Sequence, residues 1–313
     1  MNVLPVWPMR TGSASDPRHG ISPTLLRLGG GEDLTTRVYE ALIAKQAKVS
    51  HADVVAGIDR GDIGLIDNST AFIHRPVPDE INIALPVLFE NDRLVAVDKP
   101  AGFASTPQGS FVARSVLVQA RRQISPDVTC AHRLDRATSG VLLLAKDPSF
   151  RGTYQSLFAR GYVAKVYEFL SDRVLTPPVE YRSRLDTSGQ RTVETQGEAN
   201  ARTGFELIAD HGDYGQYRAR PFTGKTHQIR AHTAALGIPI IGDTLYAPLP
   251  ASNTASADIP ADESRLVFPD RIELLAIEIA FTDPVDGETV VIHSRQELHP
   301  AGLRPNETTP ELS

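Results

Sequence analysis

Between residues 163 and 220 the chain runs in short segments of alternating polarity separated by turn residues, and this pattern constrains the fold most. Apolar and polar side chains that alternate with period two describe the pleat of a half-buried strand. Residues 163–170, 180–186, 191–195, 201–209 and 216–220 all alternate, with turns at Ser188-Gly189 and His211-Gly212-Asp213. A final pair, 274–281 and 289–293, turns at Pro284-Val285-Asp286-Gly287. Such segments form hairpins, so the sheet is largely antiparallel and the class is α+β, not doubly wound.

Helices flank these strands. Leu34, Val38 and Leu42 give residues 33–48 one apolar face, and a second helix runs from Ser50, a good N-cap, to Asp59, with Gly61 closing it. A hairpin follows at 63–66 and 71–73. Two short helices and a hairpin resemble a degenerate S4-like RNA-binding module, although few basic residues line the second helix; the alternative is a small packing module. Residues 149–159 form another helix with Phe150, Tyr154, Leu157 and Phe158 inward and Gly161 as C-cap. The expected organisation is an irregular arm to about Arg27 and a small α/β module up to residue 85. A main domain follows over 86–299, with a mobile loop at 250–265 and a disordered tail at 300–313.

A chain of 313 residues can bury a large core. No apolar run approaches the ~20 residues of a bilayer span, and the N-terminus lacks the apolar core of a secretory signal. Cys130 is the sole cysteine, which excludes an intramolecular disulfide. These features suit a cytoplasmic, monomeric protein without a membrane partner. The net charge is −6, yet residues 99–230 hold 19 Lys and Arg against 12 Asp and Glu, leaving −13 elsewhere. A basic middle between acidic ends suits an anionic substrate gripped at one face.

Within that middle lies His132-Arg-Leu-Asp-Arg-Ala-Thr-Ser-Gly140, where Asp135 sits between Arg133 and Arg136. Neighbouring cations favour an ionised carboxylate. By itself this describes a surface turn whose ion pairs contribute ~0–1 kcal/mol. Residues 141–145, however, are apolar throughout and read as a strand buried on both faces. Asp135 therefore occupies a loop that feeds a core strand, which is a rigid mount for a reactive group.

A second cluster spans 222–246. Thr226 is expected to cap a helix whose buried stripe is Ile229, Thr233 and Leu236, with Gly237 ending it. His227 and Arg230, at i and i+3, share a neighbouring face. The helix start beside Lys225 offers N–H groups to an anion. His227 and His232 lie five apart and point to different sides, which argues against a metal site. No Gly-x-Ser-x-Gly elbow is present for a Ser-His-Asp hydrolase, and a hydrolase pairing Asp135 with His132 lacks a second catalytic group. Gly29-Gly30-Gly31 follows no expected strand and makes a poor phosphate loop.

Taken in order, His132–Gly140, Lys165-x-Tyr167 and Thr223–Tyr246 closely resemble the RluA-type RNA pseudouridine synthases over residues 87–295. Lys99-Pro-Ala-Gly102 and Phe281-Thr-Asp-Pro284 fit the same family. The resemblance implies the pseudouridine synthase fold: a mixed, mostly antiparallel central sheet with flanking helices, an RNA-binding cleft and neither cofactor nor metal. It implies that uridines of ribosomal or transfer RNA are flipped and isomerised. By position, Asp135 matches the family's catalytic aspartate and Tyr167 the tyrosine that stacks on the uracil. Arg230 matches the arginine that pairs with the aspartate, and Arg133 the one that helps fill the gap left by the flipped nucleotide. Arg136, Lys165, Lys225, Thr226 and His227 complete the expected RNA-binding set, while Ile229 is expected in the core. Lys225 stands where arginine is usual, replacing a bidentate phosphate fork by a point charge. Ser105-Thr-Pro107 stands where histidine often precedes the proline. The alternative within the same resemblance is a non-catalytic RNA-binding protein that retains the fold.

Overall fold

A computed structural model describes residues 21–300 of the chain, apart from 22, 32, 46, 48, 75–82, 108–113, 190 and 247–270. The loop expected at 250–265 and nearly all of the expected tail lie outside the described residues. By internal contacts the chain divides into two units, Met1–Asn82 with Val118–Pro126, and Ile83–Leu117 with Asp127–Ser313.

In the first unit, strand β1 (Thr24–Arg27) precedes helices α1 (Leu34–Ala44) and α2 (His51–Asp59) and strands β2 (Ile63–Asp67) and β3 (Thr70–Ile73). The three strands form an antiparallel sheet in the order β1-β3-β2. Residues 24–27 correct the expectation of an irregular arm. Four residues are too few for a period to show, yet Leu26 is buried with Val38, Val54, Ile63 and Ala71. Asp33 caps α1 by accepting from the amides of Thr35 and Thr36. Ser50 and Asp53 form a reciprocal capping box on α2, as the Ser50 N-cap anticipated.

The second unit begins with strands β4 (Val87–Glu90) and β5 (Leu94–Lys99). Helix α3 (Val116–Gln123) starts here and has its remaining residues in the first unit. Then come β6 (Thr129–Cys130), β7 (Ser139–Ala145), α4 (Pro148–Ala159), β8 (Ala164–Ser171), β9 (Glu180–Asp186), β10 (Val193–Thr195), β11 (Ala201–Asp210) and β12 (Gly215–Pro221). Helix α5 (Gln228–Ala235) and the hairpin β13 (Leu274–Thr282) and β14 (Thr289–His293) complete it. Eleven strands form one sheet in the order β10-β9-β11-β12-β8-β13-β7-β5-β4, with β14 on β13 and β6 on β7. Among the named strands only β7 and β13 pair in parallel. The class is therefore α+β with a mixed, mostly antiparallel sheet.

Strand β7 is buried along all seven residues, as its unbroken apolar run requires. One core packs Val141 and Leu143 against Tyr154 and Leu157 of α4 and Ile279 and Phe281 of β13. Another places Ile229 of α5 with Phe169, Tyr217, Ile238 and Ile240, so Ile229 is a core residue. The Tyr154 hydroxyl donates to Asp283, which also accepts from Arg93 at 3.1 Å, so the buried polar ends are satisfied. Helix α3 was not anticipated, nor were β4 and the two-residue β6, whose four and two residues are too few to show a period.

Gly140 opens β7 at φ +113°, and a Cβ there would lie 2.2 Å from the Ala276 carbonyl oxygen. Only glycine lets the two parallel strands meet, immediately after the Asp135 loop. Gly140→Ala is expected to destabilise the protein by more than ~2 kcal/mol, combining a disfavoured φ with a backbone clash. Urea unfolding of the two proteins checks this; a shift below ~0.5 kcal/mol would refute the close approach.

Candidate active site

The loop between β6 and β7 is held from beneath by its own backbone. The Lys99 side chain is fully buried, and its ammonium donates to the carbonyls of Pro100 at 3.0 Å, Arg136 at 3.1 Å and Thr138 at 2.6 Å. Three protons meet three acceptors, the full donor capacity of a lysine. Burial pulls this lysine down to about 7, against which the Asp135 charge favours the ammonium. The Gly102 amide also donates to the Arg136 carbonyl at 2.9 Å. One residue before Asp135, the Ser105 hydroxyl bridges Leu134, donating to its carbonyl at 2.8 Å and accepting from its amide at 2.9 Å. Asp135 thus stands on a loop fixed on both sides.

The side chains nearest the Asp135 carboxylate oxygens come from α5 and its cap. Arg230 Nη1 lies 3.4 Å from Asp135 Oδ2, and His227 Nε2 lies 3.7 Å from the same oxygen. Arg133 is exposed, and Arg136 is half-buried with its carbonyl engaged below. Arg230 itself is held by Asp243 through a two-pronged pair, Nε to Oδ2 at 2.6 Å and Nη2 to Oδ1 at 2.8 Å. Burial would depress the guanidinium, but the Asp243 hydrogen bonds and charge more than offset this and hold it above its ordinary value. The Asp243 side chain is 1% exposed and that of Asp135 29%. One guanidinium therefore joins a buried carboxylate to an accessible one.

Strand β8 supplies Lys165 and Tyr167, side by side on one face as the alternation required. Tyr167 is partly buried, and its hydroxyl bonds to no described residue; burial, then the Asp135 charge, push its phenol well above the usual value. It is a neutral phenol at physiological pH. Lys165 Nζ is 3.5 Å from the Thr223 carbonyl, and burial lowers its pKa.

Helix α5 starts one residue later than expected. Thr226 is exposed and is not its cap; the N-cap is His227, in the left-handed region and without a capping side-chain bond. The Lys225 amide is not open to an anion, because Gln228 Oε1 accepts it at 3.1 Å along with the Thr223 hydroxyl at 2.7 Å. The Lys225 side chain is exposed. Instead of a single buried stripe, Gln228 through Thr233 are all buried. His232 is enclosed by the Thr203 hydroxyl at 2.9 Å and the Ser183 hydroxyl at 3.1 Å, and burial pushes it down to about 4. His132 accepts the Leu143 amide through Nε2 at 3.1 Å and stacks on Phe158 at 4.2 Å. Burial pushes His132 down to about 3. With Nε2 of His132 spent on a core strand, that histidine is not available as the base of an Asp135–His132 hydrolase.

Lys99, Ser105, Asp243 and Tyr246 were given no role from the sequence alone. Their signal was weak but present: a lysine ending an apolar strand, and a lone acid after Gly242 in an otherwise apolar stretch. Among the described residues no group of three or more His, Cys, Asp and Glu is arranged to hold a metal ion, and no helix is long and apolar enough to cross a membrane.

The fold class defined by this mixed sheet has solved counterparts. A human RNA pseudouridylate synthase domain-containing protein 1 structure superposes with a TM-score of 0.52 at 23% identity, covering 71% of this chain and 86% of that one. The profile of the RNA pseudouridylate synthase family matches residues 93–235. An uncharacterized RNA pseudouridine synthase of Zymomonas mobilis is 34% identical over 176 residues, 52% of this chain and 79% of that protein. A dual-specificity RNA pseudouridine synthase RluA of Vibrio cholerae is 28% identical over 64% of this chain and 78% of its own length. The mitochondrial tRNA pseudouridine(32) synthase of Saccharomyces cerevisiae is 32% identical over 62% of this chain, which spans only 43% of that longer protein. The chain belongs to the RluA-type RNA pseudouridine synthase family.

Two expectations follow from the buried cations and histidines. Lys99→Met removes three donors at once and leaves the Arg136 carbonyl with the Gly102 amide alone and the Pro100 and Thr138 carbonyls without the lysine, so a loss of ~2–4 kcal/mol in unfolding free energy is expected; native stability of the variant would contradict it. For His132 and His232 the folded pKa lies below the unfolded one, so between about 4 and 6.5 the unfolded state binds more protons. The two histidines' contribution to stability is therefore fully present above pH ~6.5 and falls as the pH drops toward 4, by up to ~1.4 kcal/mol per pH unit per histidine. Denaturant midpoints at pH 7, 6 and 5 measure this, and a flat profile counts against the assignment.

Proposed function

We propose that the chain isomerises specific uridines of ribosomal or transfer RNA to pseudouridine, with Asp135 as the catalytic carboxylate. The observation that carries the proposal is the asymmetric Arg230 bridge. Asp243 fixes the guanidinium from the buried side, and the guanidinium presents its remaining edge to an accessible Asp135. Preorganised charge of this kind acts on a reacting group without reorganising during the reaction. The reaction breaks N1–C1′ and C5–H, turns the uracil and forms C5–C1′ and N1–H within one nucleotide, so no external group is transferred and one fixed carboxylate, with proton exchange at C5 and N1, is an adequate chemical inventory.

The target base must leave its stack to reach Asp135, at a cost of a few kcal/mol. Stacking on the Tyr167 ring returns ~1–3 kcal/mol. Because its phenol is raised, Tyr167 acts through its ring and neutral hydroxyl, not as a phenolate. Arg133, Arg136, Lys165, Lys225 and Thr226 are assigned to the RNA backbone, with a corresponding salt dependence of binding. The choice of ribosomal and transfer RNA is carried over from the relatives' names, and the monomeric, cytoplasmic assignment from the sequence.

Asp135→Asn keeps the side-chain shape but removes the charge. It is expected to lower tritium release from C5-labelled uridine RNA by at least ~10³-fold while RNA binding changes less than about threefold. Release at the native rate by this variant would overturn the proposal.

A further inference from the structure

His227 is the single non-glycine residue with positive φ among the described residues, at φ 51° and ψ 22°. That conformation is disfavoured for a side chain with a Cβ and persists where the surroundings enforce it. Here the enforcing neighbours are Tyr246 and the start of α5. Tyr246 is buried, accepts the Thr192 amide at 2.9 Å through its hydroxyl oxygen, and stands edge-on to the His227 ring. Its hydroxyl lies 3.1 Å from His227 Nδ1.

The tautomer follows from counting protons. The Tyr246 hydroxyl has one proton to give, and Nδ1 is the acceptor it has among the described residues. Were Nδ1 protonated, that phenol proton would be buried without an acceptor among the described residues. Nδ1 therefore accepts, and the imidazole proton resides on Nε2. Burial also holds the His227 pKa below its ordinary value, so the ring is neutral at neutral pH. Nε2 faces Asp135 Oδ2 at 3.7 Å, the same oxygen that Arg230 approaches at 3.4 Å.

We infer that His227 is a positioning residue for Asp135: its neutral Nε2–H, fixed in that tautomer by Tyr246, aims the carboxylate through Oδ2 and leaves Oδ1 to the nucleotide. The inference rests on the proposal that Asp135 is catalytic. Arg230 hydrogen-bonds Oδ2 at 3.4 Å, while Nε2 of His227 stands just beyond hydrogen-bond distance at 3.7 Å, close enough for a small movement of either side chain to close the gap. A neutral donor is the fitting chemistry, because it orients the carboxylate without adding a second full positive charge to that of Arg230. This departs from the phosphate-binding role expected of His227 from the sequence, which would need a side chain free of the carboxylate.

The test uses the full chain and C5-tritiated uridine RNA. His227→Asn suits the left-handed backbone as well as histidine does, but its amide ends near the Nδ1 position and cannot reach Oδ2. His227→Gln carries an N–H to the Nε2 position. His227→Asn is expected to lower kcat about 10–100-fold with KM within about threefold, and His227→Gln to recover roughly tenfold of that loss. A raised KM at unchanged kcat identifies a phosphate contact and overturns the inference, as does a glutamine variant no better than asparagine. Nitrogen-15 shifts of labelled histidine in the native protein give a measurement that no folding defect can obscure; an Nδ1–H tautomer at residue 227 also overturns it. Tritium release by the native protein, none by Asp135→Asn and a native kcat for His227→Asn would overturn this inference alone. Absence of release by the native protein overturns the proposed function and the inference together.

Discussion

The Lys99 ammonium under the Asp135 loop is the interaction on which the rest of the site depends. A loop that leads into a buried strand brings carbonyl groups with it, and buried carbonyls need donors. Arg136 and Thr138 flank the turn that ends in Gly140, and one lysine satisfies both together with Pro100. Ser105 does the same for Leu134 with a single hydroxyl. The backbone on either side of Asp135 is thereby set before the side chain is considered. The fold contributes the last constraint, since β7 meets β13 in parallel only because residue 140 is glycine.

On that mount the electrostatics are built in depth. A buried ion pair is weak support for stability, because desolvating two charges offsets most of their attraction. The Arg230–Asp243 pair is better understood as a means of placing a guanidinium where water would otherwise compete. With Asp243 satisfying Nε and Nη2, the free edge of Arg230 is aimed and its rotamer is locked. Tyr246 stacks beside it, with the Arg230 carbon 5.1 Å from the ring centroid, and Arg191 lies over the same ring at 4.8 Å. One aromatic ring thus supports the arginine by its face and the histidine by its hydroxyl.

What the sequence disclosed and what it hid divide along the range of the forces involved. The β8–β12 hairpins, the buried β7 and the capped helices α1, α2 and α4 were legible because alternation, apolar runs and caps are local signals. The pairing of Arg230 with Asp135 was expected from the family resemblance, and the structure brings the two within ion-pair distance. Arg133 and Arg136 are adjacent in sequence, whereas the guanidinium hydrogen-bonded to Asp135 comes from 95 residues away and carried no local signal. Strand β1 was hidden because four residues acquire meaning only when β3 supplies the pairing. The α5 start was misplaced because Thr226 is a good cap by type, whereas Gln228 inside the helix took over the loop amides. Lys99 and Asp243 were hidden because a buried charge announces itself only through the partner that neutralises it.

These buried groups also set the conditions under which the site can persist. His132 and His232 contribute to stability only while neutral, and each is spent on fixing strands around the site: His132 on Leu143 of β7, His232 on Ser183 and Thr203 of β9 and β11. Protonating either one removes an acceptor from a place where water cannot substitute. Acid should therefore loosen the strand framework around the site, and activity lost in that range would report on the mount as much as on the chemistry. His227 differs from both, since its second nitrogen faces the accessible carboxylate and not a strand. A neutral imidazole is useful at all three positions, but only at residue 227 does it face the carboxylate proposed as catalytic.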